Sequence, residues 1–276
     1  MERVIFTDLD GTLLDFQDYS YSTVHPVLPK LEALGIPVVF CSSKTRVEQE
    51  FYRQALNNQN PFITENGSAI FIPNGYFSFI IDQSANSEYP VDQQENYSVI
   101  RLGETYSYVR SKIQTAREQV SIDLWGYGDL SLKEIKEITG LDSGFAQRAS
   151  SRDYSETLLK GNKIGQPFKD FKALLAESGL SCVSGGKFHT VMGAKSDKGK
   201  AVKLLTALYQ REFGTVETIG LGDSANDIPL LAVVDRGYLV QKPGGKWSET
   251  TEPNITKIDK VGPEGWIDVA KSIISV

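Results

Sequence analysis

Val4-Ile5-Phe6-Thr7-Asp8-Leu9-Asp10-Gly11-Thr12 is a short apolar run that ends in two carboxylates two residues apart. An uninterrupted run of β-branched and aromatic residues is typical of a parallel strand that is covered on both faces. The two aspartates then lie at the carboxyl end of that strand, where open α/β sheets bind their ligands. The sequence therefore predicts an α/β fold with a reactive site directly after its first strand.

The two acids at this strand end suit phosphoryl transfer. Asp8 can act as a nucleophile and form an aspartyl-phosphate. Asp10 can protonate the leaving oxygen and later deprotonate water. Two alternatives stay open on these residues alone. One is an Asx-type turn between strand and loop. The other is a calcium-binding loop, although the later glutamate ligand of such loops has no match because position 19 is Tyr19.

A second acidic cluster, Gly222-Asp223-Ser224-Ala225-Asn226-Asp227, follows the apolar run 216–219. Carboxylates that share one crevice repel each other, and a hard divalent cation such as Mg²⁺ resolves that repulsion. We assign the side chains of Asp8 and Asp223 and the backbone carbonyl of Asp10 as ligands, with Asp227 in outer or water-bridged contact. The alternative for residues 224–227 is a helix N-cap with an acid that binds no metal.

Together the two clusters resemble the first and fourth motifs of the haloacid dehalogenase superfamily of phosphatases. The resemblance implies a Rossmann-like parallel sheet core and two further motifs. Ser42, at the end of the run 36–42, fits the second motif, with the adjacent Ser43 as an alternative. Lys198 fits the third motif, with Lys195 and Lys200 as competitors. By resemblance, Ser42 orients the phosphoryl group and Lys198 neutralises the nucleophile and the phosphate.

The long interval between the second and third motifs resembles the branch of this superfamily in which a large α/β cap is inserted. Glu65-Asn66-Gly67 is a further hallmark of that branch. We therefore predict a core domain formed by residues 1–83 and 194–276, and an inserted α+β cap formed by residues 84–193. The cap is expected to supply substrate specificity.

Residues 41–46, 148–156, 188–193 and 263–266 resemble mannosyl-3-phosphoglycerate phosphatase and its relatives. The resemblance implies Mg²⁺-dependent removal of phosphate from a mannosyl- or glucosyl-3-phosphoglycerate. A small substrate that carries a phosphate and a carboxylate calls for clustered donors, and guanidinium groups suit both anions. The candidate substrate-binding residues are Ser43, Lys44, Thr45, Arg46, Glu65, Asn66, Gly67, Arg148, Arg152 and His189, with Lys160 in the same segment as the two cap arginines.

Less specific roles stay open for these candidates, namely a solvated surface position for each Arg or Lys and a structural position for His189. Other activities also stay open. The nearest is another sugar-phosphate phosphatase or phosphotransferase of the superfamily, such as a sucrose-phosphate phosphatase or a phosphomannomutase. An esterase is a distant alternative, because Gly222-Asp223-Ser224 resembles a serine motif but neither His25 nor His189 lies in the C-terminal segment. A non-catalytic sugar-phosphate sensor is a third.

Composition limits the function classes. The chain has 276 residues, of which 40% are hydrophobic, which is ample for a sizeable core. Its net charge of -6 and the lack of a dense Lys/Arg run argue against nucleic-acid or membrane-surface binding. Cys41 and Cys182 are far apart and predict reduced thiols. With no leader-like segment and no membrane-length apolar run, we expect a cytoplasmic protein, either monomer or homodimer.

Local patterns predict most helices and strands. Residues 45–56 form a helix capped by Thr45 or Ser43, with Glu48 placed for a capping box. Residues 77–82 continue a strand pattern, and the polar stretch 84–96 forms a linker into the cap. The other predicted helices are 24–34, 106–120, one that opens at 131–134, 143–150, 168–177, 198–213, 228–233 and 266–274. The predicted strands include 155–160, 180–184 and 187–192 in a small antiparallel cap sheet, and 238–241 in the core.

Overall fold

The computed structural model of the protein describes residues 1–82, 88–159, 165–185 and 188–275. Its strands are β1 (Glu2–Thr7), β2 (Val38–Cys41), β3 (Phe62–Thr64), β4 (Ala69–Pro73), β5 (Val91–Gln93), β6 (Tyr97–Arg101), β7 (Ser155–Leu159), β8 (Leu180–Gly185), β9 (Phe188–Gly193), β10 (Val216–Gly222), β11 (Arg236–Gln241) and β12 (Ile255–Val261). Its helices are α1 (Leu28–Ala33), α2 (Arg46–Ala55), α3 (Tyr106–Val120), α4 (Leu132–Thr139), α5 (Ser143–Ser150), α6 (Gln166–Glu177), α7 (Lys198–Phe213), α8 (Ile228–Leu231) and α9 (Glu264–Ile274).

The larger sheet has nine strands in the order β12-β11-β10-β1-β2-β3-β4-β6-β5. β1 pairs in parallel with β10 on one side and β2 on the other. The pairing is parallel from β12 through β3, whereas β4, β6 and β5 are antiparallel. The carboxyl ends of β1, β2 and β10 therefore meet at one edge of the sheet, which confirms the predicted α/β fold class.

The apolar run of β1 is buried on both faces of this sheet. Ile5 packs in a cluster with Leu31 and Trp266, on the side covered by α1 and α9. Phe6 packs in the opposite cluster, which contains Leu205 of α7. Successive strand residues point to opposite faces, so an uninterrupted apolar run is stable only where helices cover both. Full burial of each large apolar side chain stabilises the fold by about 1.5–3 kcal/mol.

A second, smaller sheet has the strand order β7-β9-β8 with antiparallel pairing throughout. The helices α3 and α6 cover one face of it, where Val109 and Phe171 pack against Val191. On the other side, residues of α4 and α5 form a small apolar cluster with Tyr127, and Phe188 packs against it. The predicted antiparallel α+β pattern is thus confirmed.

The region between the two sheets differs from the prediction. β5 and β6 lie on the cap side of the predicted boundary at residues 83 and 84, yet both belong to the nine-stranded sheet. The division at 83/84 and 193/194 stays a prediction. Gln83, Ser84, Lys160 and Lys187, at which predicted elements or boundaries begin or end, lie outside the described residues.

Residues 77–82 form no strand. Their apolar spacing has another cause, because Phe77 and Ile81 are buried in the cluster over α7 and the Phe77 ring lies 5.2 Å from the Tyr209 ring. The helix predicted over 24–34 shortens to α1, which carries Pro29 in its first turn, where the missing N–H costs no helical hydrogen bond. β12 was not predicted, because four of its seven residues are exposed and its alternation is weak.

Trp266 joins α9 to β1. Its side chain is fully buried, and its indole N–H donates to Thr7 Oγ1 at 3.0 Å, while that hydroxyl donates to the carbonyl of Asp8 at 2.7 Å. We expect Trp266→Phe to lower the free energy of unfolding by about 1–3 kcal/mol, because it creates a void and removes the donor. Urea denaturation measures the change. Trp125→Phe, at a side chain that is 47% exposed, is the control. Equal losses of unfolding free energy in both variants would contradict the role of Trp266 in joining α9 to β1.

Candidate active site

The turn after β1 brings the first two acids to the carboxyl edge of the sheet. The backbone N–H of Asp8 donates to the carbonyl of Leu221 in β10 at 2.9 Å, so the two acidic segments start from neighbouring strands. Gly11 has a φ of +73°, a left-handed conformation that favours glycine. A Cβ at this position would lie 3.3 Å from Oδ2 of Asp223. The backbone therefore turns tightly after β1, and Asp8 lies beside the second cluster.

Three buried carboxylates converge there. Asp8, Asp223 and Asp227 each offer one oxygen within 4.8 Å of the others. Oδ2 of Asp227 accepts from the backbone N–H of Asp223 at 3.1 Å and of Ser224 at 2.9 Å. Asp227 is thus held by its own loop, and its outer contact to a metal stays a prediction. The Asp10 side chain is not in this cluster, and only its backbone was assigned there.

Lys198 is the cation of this cluster. Its Nζ lies 2.7 Å from Oδ1 of Asp8 and 2.6 Å from Oδ1 of Asp227, and its side chain is fully buried. It begins α7, whose N-cap is Asp197. The competing candidates Lys195 and Lys200 are exposed, and the Nζ of Lys200 donates to the Lys195 carbonyl. The structure therefore selects Lys198 from the three lysines of this segment.

Burial and mutual repulsion shift the protonation of the cluster. Burial, followed by the charge of Asp227, raises the pKa of Asp8 to about 8 against the opposing effect of Lys198. The same two causes raise the pKa of Asp223 to about 6. Burial disfavours the charge on Lys198, but Asp227 and Asp8 outweigh it and raise the pKa of the ammonium above its usual value. The single positive charge of Lys198 is therefore too small to balance the three carboxylates at neutral pH.

The donor set of this cluster fits a divalent cation. Hard carboxylate oxygens are the ligands that such cations prefer, and added positive charge lowers the raised pKa values of Asp8 and Asp223.

We expect the metal-free protein to lose stability as the pH rises from about 4 to about 8. Asp8 and Asp223 have folded-state pKa values of about 8 and about 6, above the ordinary 3.8. Such groups bind protons more tightly when the chain is folded, so their stabilisation is complete below about pH 4 and is lost as the pH rises through those values. Thermal unfolding with a chelator measures this fall, and added Mg²⁺ is expected to reverse it.

The same pH scan on Asp223→Asn separates the cluster from the other acids of the chain, because this variant is expected to show a flatter dependence. A melting temperature that is independent of Mg²⁺ at about pH 8 would contradict metal binding by these residues.

Lys44 holds the second acid of the first motif. Its Nζ lies 2.9 Å from Oδ1 of Asp10 and 3.5 Å from Oε1 of Glu48, and the lysine is buried. Burial works against its charge, but Asp10 and Glu48 raise the pKa of Lys44 above its usual value. Lys44 is one of the residues predicted to bind substrate from the core side. The structure pairs it with Asp10, although its side chain still borders the cavity described next.

A cavity of about 860 Å³ opens between the two sheets, above Asp10. Five of the predicted site residues line it, namely Asp10, Ser43, Lys44, Asn66 and Arg152. Ser42 lies beneath it, fully buried at the end of β2, and its hydroxyl accepts the Lys44 backbone N–H at 3.4 Å. Which of the two serines contacts phosphate stays a prediction.

Several other residues that line the cavity were not predicted from the sequence. Lys242 lines the cavity directly after β11. The rule that carboxyl ends of parallel strands gather ligands also applies to β11, so this signal was available. Asn226 belongs to the second acidic segment, and its side-chain amide donates to Oδ1 of Asn66 at 3.1 Å. The cap contributes Tyr127, Thr157, Val183, Ser184, Phe188 and Thr190.

Thr45, Arg46 and Arg148 were predicted to bind substrate, but they are not among the described residues that line the cavity. Thr45 caps α2, where it forms the predicted capping box with Glu48, and its hydroxyl donates to the carbonyl of Arg148 at 2.8 Å. Arg46 pairs with Glu50 of the same helix at 3.0 Å and with Asp153 of the cap at 3.5 Å. The guanidinium of Arg148 stacks 4.3 Å from the Phe51 ring. These residues join the cap to α2 instead.

Glu65, Gly67 and His189 also lie away from the cavity lining. Glu65 is fully buried and its carboxylate accepts hydrogen bonds from the cap. Gly67 has a φ of +89°, and a Cβ there would lie 2.2 Å from the carbonyl oxygen of Asp197, so this glycine permits close packing. His189 packs 4.6 Å from the Phe168 ring and bonds Ser184 Oγ at 2.8 Å. These contacts match the structural position that was left open for His189, and its role in substrate binding stays a prediction.

None of the helices in the described residues combines the length and the apolar character that a membrane-spanning segment requires. Cys41 and Cys182 are buried free thiols, as predicted.

Comparison with known proteins places this geometry in a family. Residues 5–243 match the model of the haloacid dehalogenase-like hydrolases. A glucosyl-3-phosphoglycerate/mannosyl-3-phosphoglycerate phosphatase from Methanococcoides burtonii is 40% identical, covering 99% of this chain and 98% of that protein. A protein of the same name from Persephonella marina is 36% identical over 95% of this chain and 94% of its own.

Among solved structures, a Thermoplasma acidophilum protein superposes with a TM-score of 0.66 over 99% of this chain and 98% of that chain, at 17% sequence identity. That likeness supports the fold, whereas the sequence relatives support the family. The chain belongs to the haloacid dehalogenase-like hydrolases, in the family of the glucosyl-3-phosphoglycerate/mannosyl-3-phosphoglycerate phosphatases.

Proposed function

We propose that this protein hydrolyses a glycosyl-3-phosphoglycerate, mannosyl or glucosyl, to glycosylglycerate and inorganic phosphate. The observation that carries the proposal is the contact of Asp8 with Lys198 beside Asp223, at the edge of the sheet beneath a cavity that also contains Asp10. A nucleophile, an acid-base group and compensating positive charge are the parts that phosphomonoester hydrolysis needs. The names of the two sequence relatives support the substrate class.

In the proposed reaction, an Asp8 oxygen attacks phosphorus in line with the leaving oxygen of the glycerate. The new oxygen–phosphorus bond forms as the ester bond breaks, and Asp10 donates a proton to the departing oxygen. Asp10 then takes a proton from water, which attacks the phosphorus of the aspartyl-phosphate and returns Asp8. Asp10 is suited to both steps because, unlike the buried Asp8, its side chain is 36% exposed toward the cavity.

The other residues of the site balance charge and orient groups. We propose that Lys198 stays with Asp8 through both steps and stabilises negative charge on the transferred phosphoryl group. Ser42 or Ser43 donates a hydrogen bond to its oxygens. Mg²⁺, held by the Asp8 and Asp223 side chains and the Asp10 carbonyl with Asp227 in outer contact, would supply further charge neutralisation.

The cavity walls support recognition of a second anionic group. Three cations border the cavity among the described residues, namely Lys44, Arg152 and Lys242. Lys44 is neutralised by Asp10 and Glu48. Arg152 comes from the cap, is nine-tenths buried and lies 3.7 Å from Glu65, and its Nε has no hydrogen-bond partner among the described residues. We propose that Arg152 binds the glycerate carboxylate, since a guanidinium can donate two parallel hydrogen bonds to one carboxylate. Tyr127 and Phe188 offer apolar ring surface for the hexose.

The proposal includes the boundaries of the two domains and the cellular compartment of the protein. Since β5 and β6 belong to the core sheet, we propose that the cap begins after β6, near Gly103, and ends near residue 193. A Cβ on Gly193 would lie 3.1 Å from the backbone nitrogen of Glu104, so the two crossing segments run side by side. We propose a cytoplasmic setting, which suits two buried free thiols.

A phosphate-release panel with Mg²⁺ tests the function. It compares mannosyl- and glucosyl-3-phosphoglycerate with sucrose phosphate and simple hexose phosphates, with Asp8→Asn as the background. We expect kcat/KM for one or both glycosyl-3-phosphoglycerates to exceed that for the hexose phosphates by at least about 100-fold, because only the former carry a carboxylate. Preference for sucrose phosphate or a hexose phosphate would overturn the substrate assignment.

A further inference from the structure

Glu65 is a buried acid that the reaction above does not use. It follows β3, and its carboxylate side chain has 0% exposure. Every polar contact described for that carboxylate comes from the cap, about 90 residues away in sequence. Its Oε1 accepts the backbone N–H of Asp153 at 2.8 Å, and its Oε2 accepts that of Tyr154 at 3.2 Å and the hydroxyl of Ser155. A core residue thus binds three successive residues of the cap.

These contacts lead directly to Arg152. The Ser155 hydroxyl that donates to Glu65 also accepts from Nη1 of Arg152 at 2.8 Å, and the same nitrogen lies 3.7 Å from Oε2 of Glu65. Arg152 borders the cavity, and its Nε is buried without a hydrogen-bond partner among the described residues. The guanidinium is therefore oriented from behind by Glu65 and Ser155, while it faces the cavity.

The loop that carries Glu65 also contacts the catalytic segments of the core. Glu65, Asn66 and Gly67 have φ values of 47°, 60° and 89°, three successive left-handed conformations. The backbone N–H of Glu65 donates to the carbonyl of Lys44 at 3.1 Å, and that of Asn66 donates to the carbonyl of Ser42 at 3.0 Å. Left-handed backbone in non-glycine residues is strained and persists only where the surroundings hold it. Cap and catalytic loops therefore meet in one rigid turn.

We propose that Glu65 is a positioning residue that docks cap segment 153–155 on the core and thereby fixes Arg152 for the second anionic group of the substrate. The inference rests on the proposed function, because Arg152 discriminates between substrates only if one of them carries a carboxylate. Glu65 itself does not touch the substrate. Its carboxylate oxygens are occupied by the contacts with the cap. The hydrogen bonds from Ser155 to Glu65 and from Arg152 to Ser155 set the direction of the guanidinium.

The test compares Glu65→Gln with the wild type on mannosyl-3-phosphoglycerate and on p-nitrophenyl phosphate, which has no carboxylate. The amide keeps the shape of the side chain but turns one acceptor into a donor that faces the cap donors. We expect KM for the glycosyl substrate to rise at least about tenfold, with a smaller change in kcat. The KM for p-nitrophenyl phosphate is expected to change less than about threefold.

Two further variants make the result specific. In a double-mutant cycle with Arg152→Met, the Glu65→Gln change should add little to the loss on the glycosyl substrate, because both act through the same guanidinium. Ser155→Ala removes the bridging hydroxyl and should raise the same KM to a smaller extent. Glu217→Gln, which removes an acid paired with Arg236 at 3.2 Å on another part of the core, is the matched control.

Equal losses on both substrates, or additive losses in the cycle, would overturn the positioning role. Hydrogen exchange gives a readout that does not depend on turnover, since Glu65→Gln should raise deuterium uptake in peptides covering 148–155 and leave 216–222 unchanged. Unchanged uptake in 148–155 would also overturn it. If the wild type failed to hydrolyse the glycosyl substrate but exchange rose in the variant, the proposed function would fail while the docking role of Glu65 would stand.

Discussion

Replacing Asp8 by Asn is expected to lower kcat by about 10⁴-fold or more, since the amide is not a nucleophile and no other carboxylate occupies its place. The fold should persist. Lys198 retains its contact with Asp227 at 2.6 Å, and the change removes one of several acids that repel each other in a buried cluster. Phosphate release from mannosyl-3-phosphoglycerate measures kcat, and acid quench of the wild type during turnover should trap phosphate on the peptide that contains Asp8.

The matched control is Asp123→Asn, the same substitution at an exposed position of the cap. It should leave kcat within about twofold of the wild type, because surface substitutions away from such contacts rarely change stability by more than about 0.5 kcal/mol. Turnover by Asp8→Asn at the wild-type rate would refute the nucleophile assignment. Loss of the folded state in that variant would refute the claim that Lys198 and Asp227 suffice to hold the site.

Lys198→Met is expected to lower both activity and stability, which distinguishes it from the Asp8 variant. The side chain is fully buried between Asp8 and Asp227, so its removal leaves two acids without their common cation. Breaking a buried ion pair by removing one partner destabilises a fold by about 3–5 kcal/mol. The loss of charge beside the phosphoryl group should also lower kcat by about 10³-fold. Urea denaturation and phosphate release measure the two effects.

Lys203→Met is the control for this variant, because Lys203 lies on the same helix with its side chain exposed. It should change neither quantity appreciably. Added Mg²⁺ is expected to restore part of the stability of Lys198→Met, since a cation bound by Asp8 and Asp223 offsets some of the unpaired charge. A wild-type unfolding free energy for metal-free Lys198→Met would contradict the role of this ammonium as the common cation of Asp8 and Asp227.

The sequence alone was sufficient for the parts of the site that follow from strand ends. A buried apolar run followed by acids recurs at β1 and β10, and parallel strands place their carboxyl ends at one edge, so Asp8 and Asp223 had to meet. Helices of the cap and of the core were equally predictable, because their sequence signals are local. Ser131 and Glu134 form a capping box at the start of α4, and Thr45 and Glu48 form another at the start of α2.

Tertiary structure decided the direction of individual side chains and the partners of buried charges. His189 and its neighbours Phe188 and Thr190 lie on one strand, and alternation sends His189 toward α6 while the other two border the cavity. Which face of β9 meets the core is set by the docking of the two sheets, which no local pattern encodes. Likewise, Lys44 and Glu65 are charged residues near the motifs, but their partners, Asp10 and the cap segment 153–155, lie far away in sequence. The sequence by itself determined which chemistry gathers at the edge of the sheet. Only the packing of the cap on the core decided which charges are free to meet a substrate, because a buried charge must be paired wherever the fold places it.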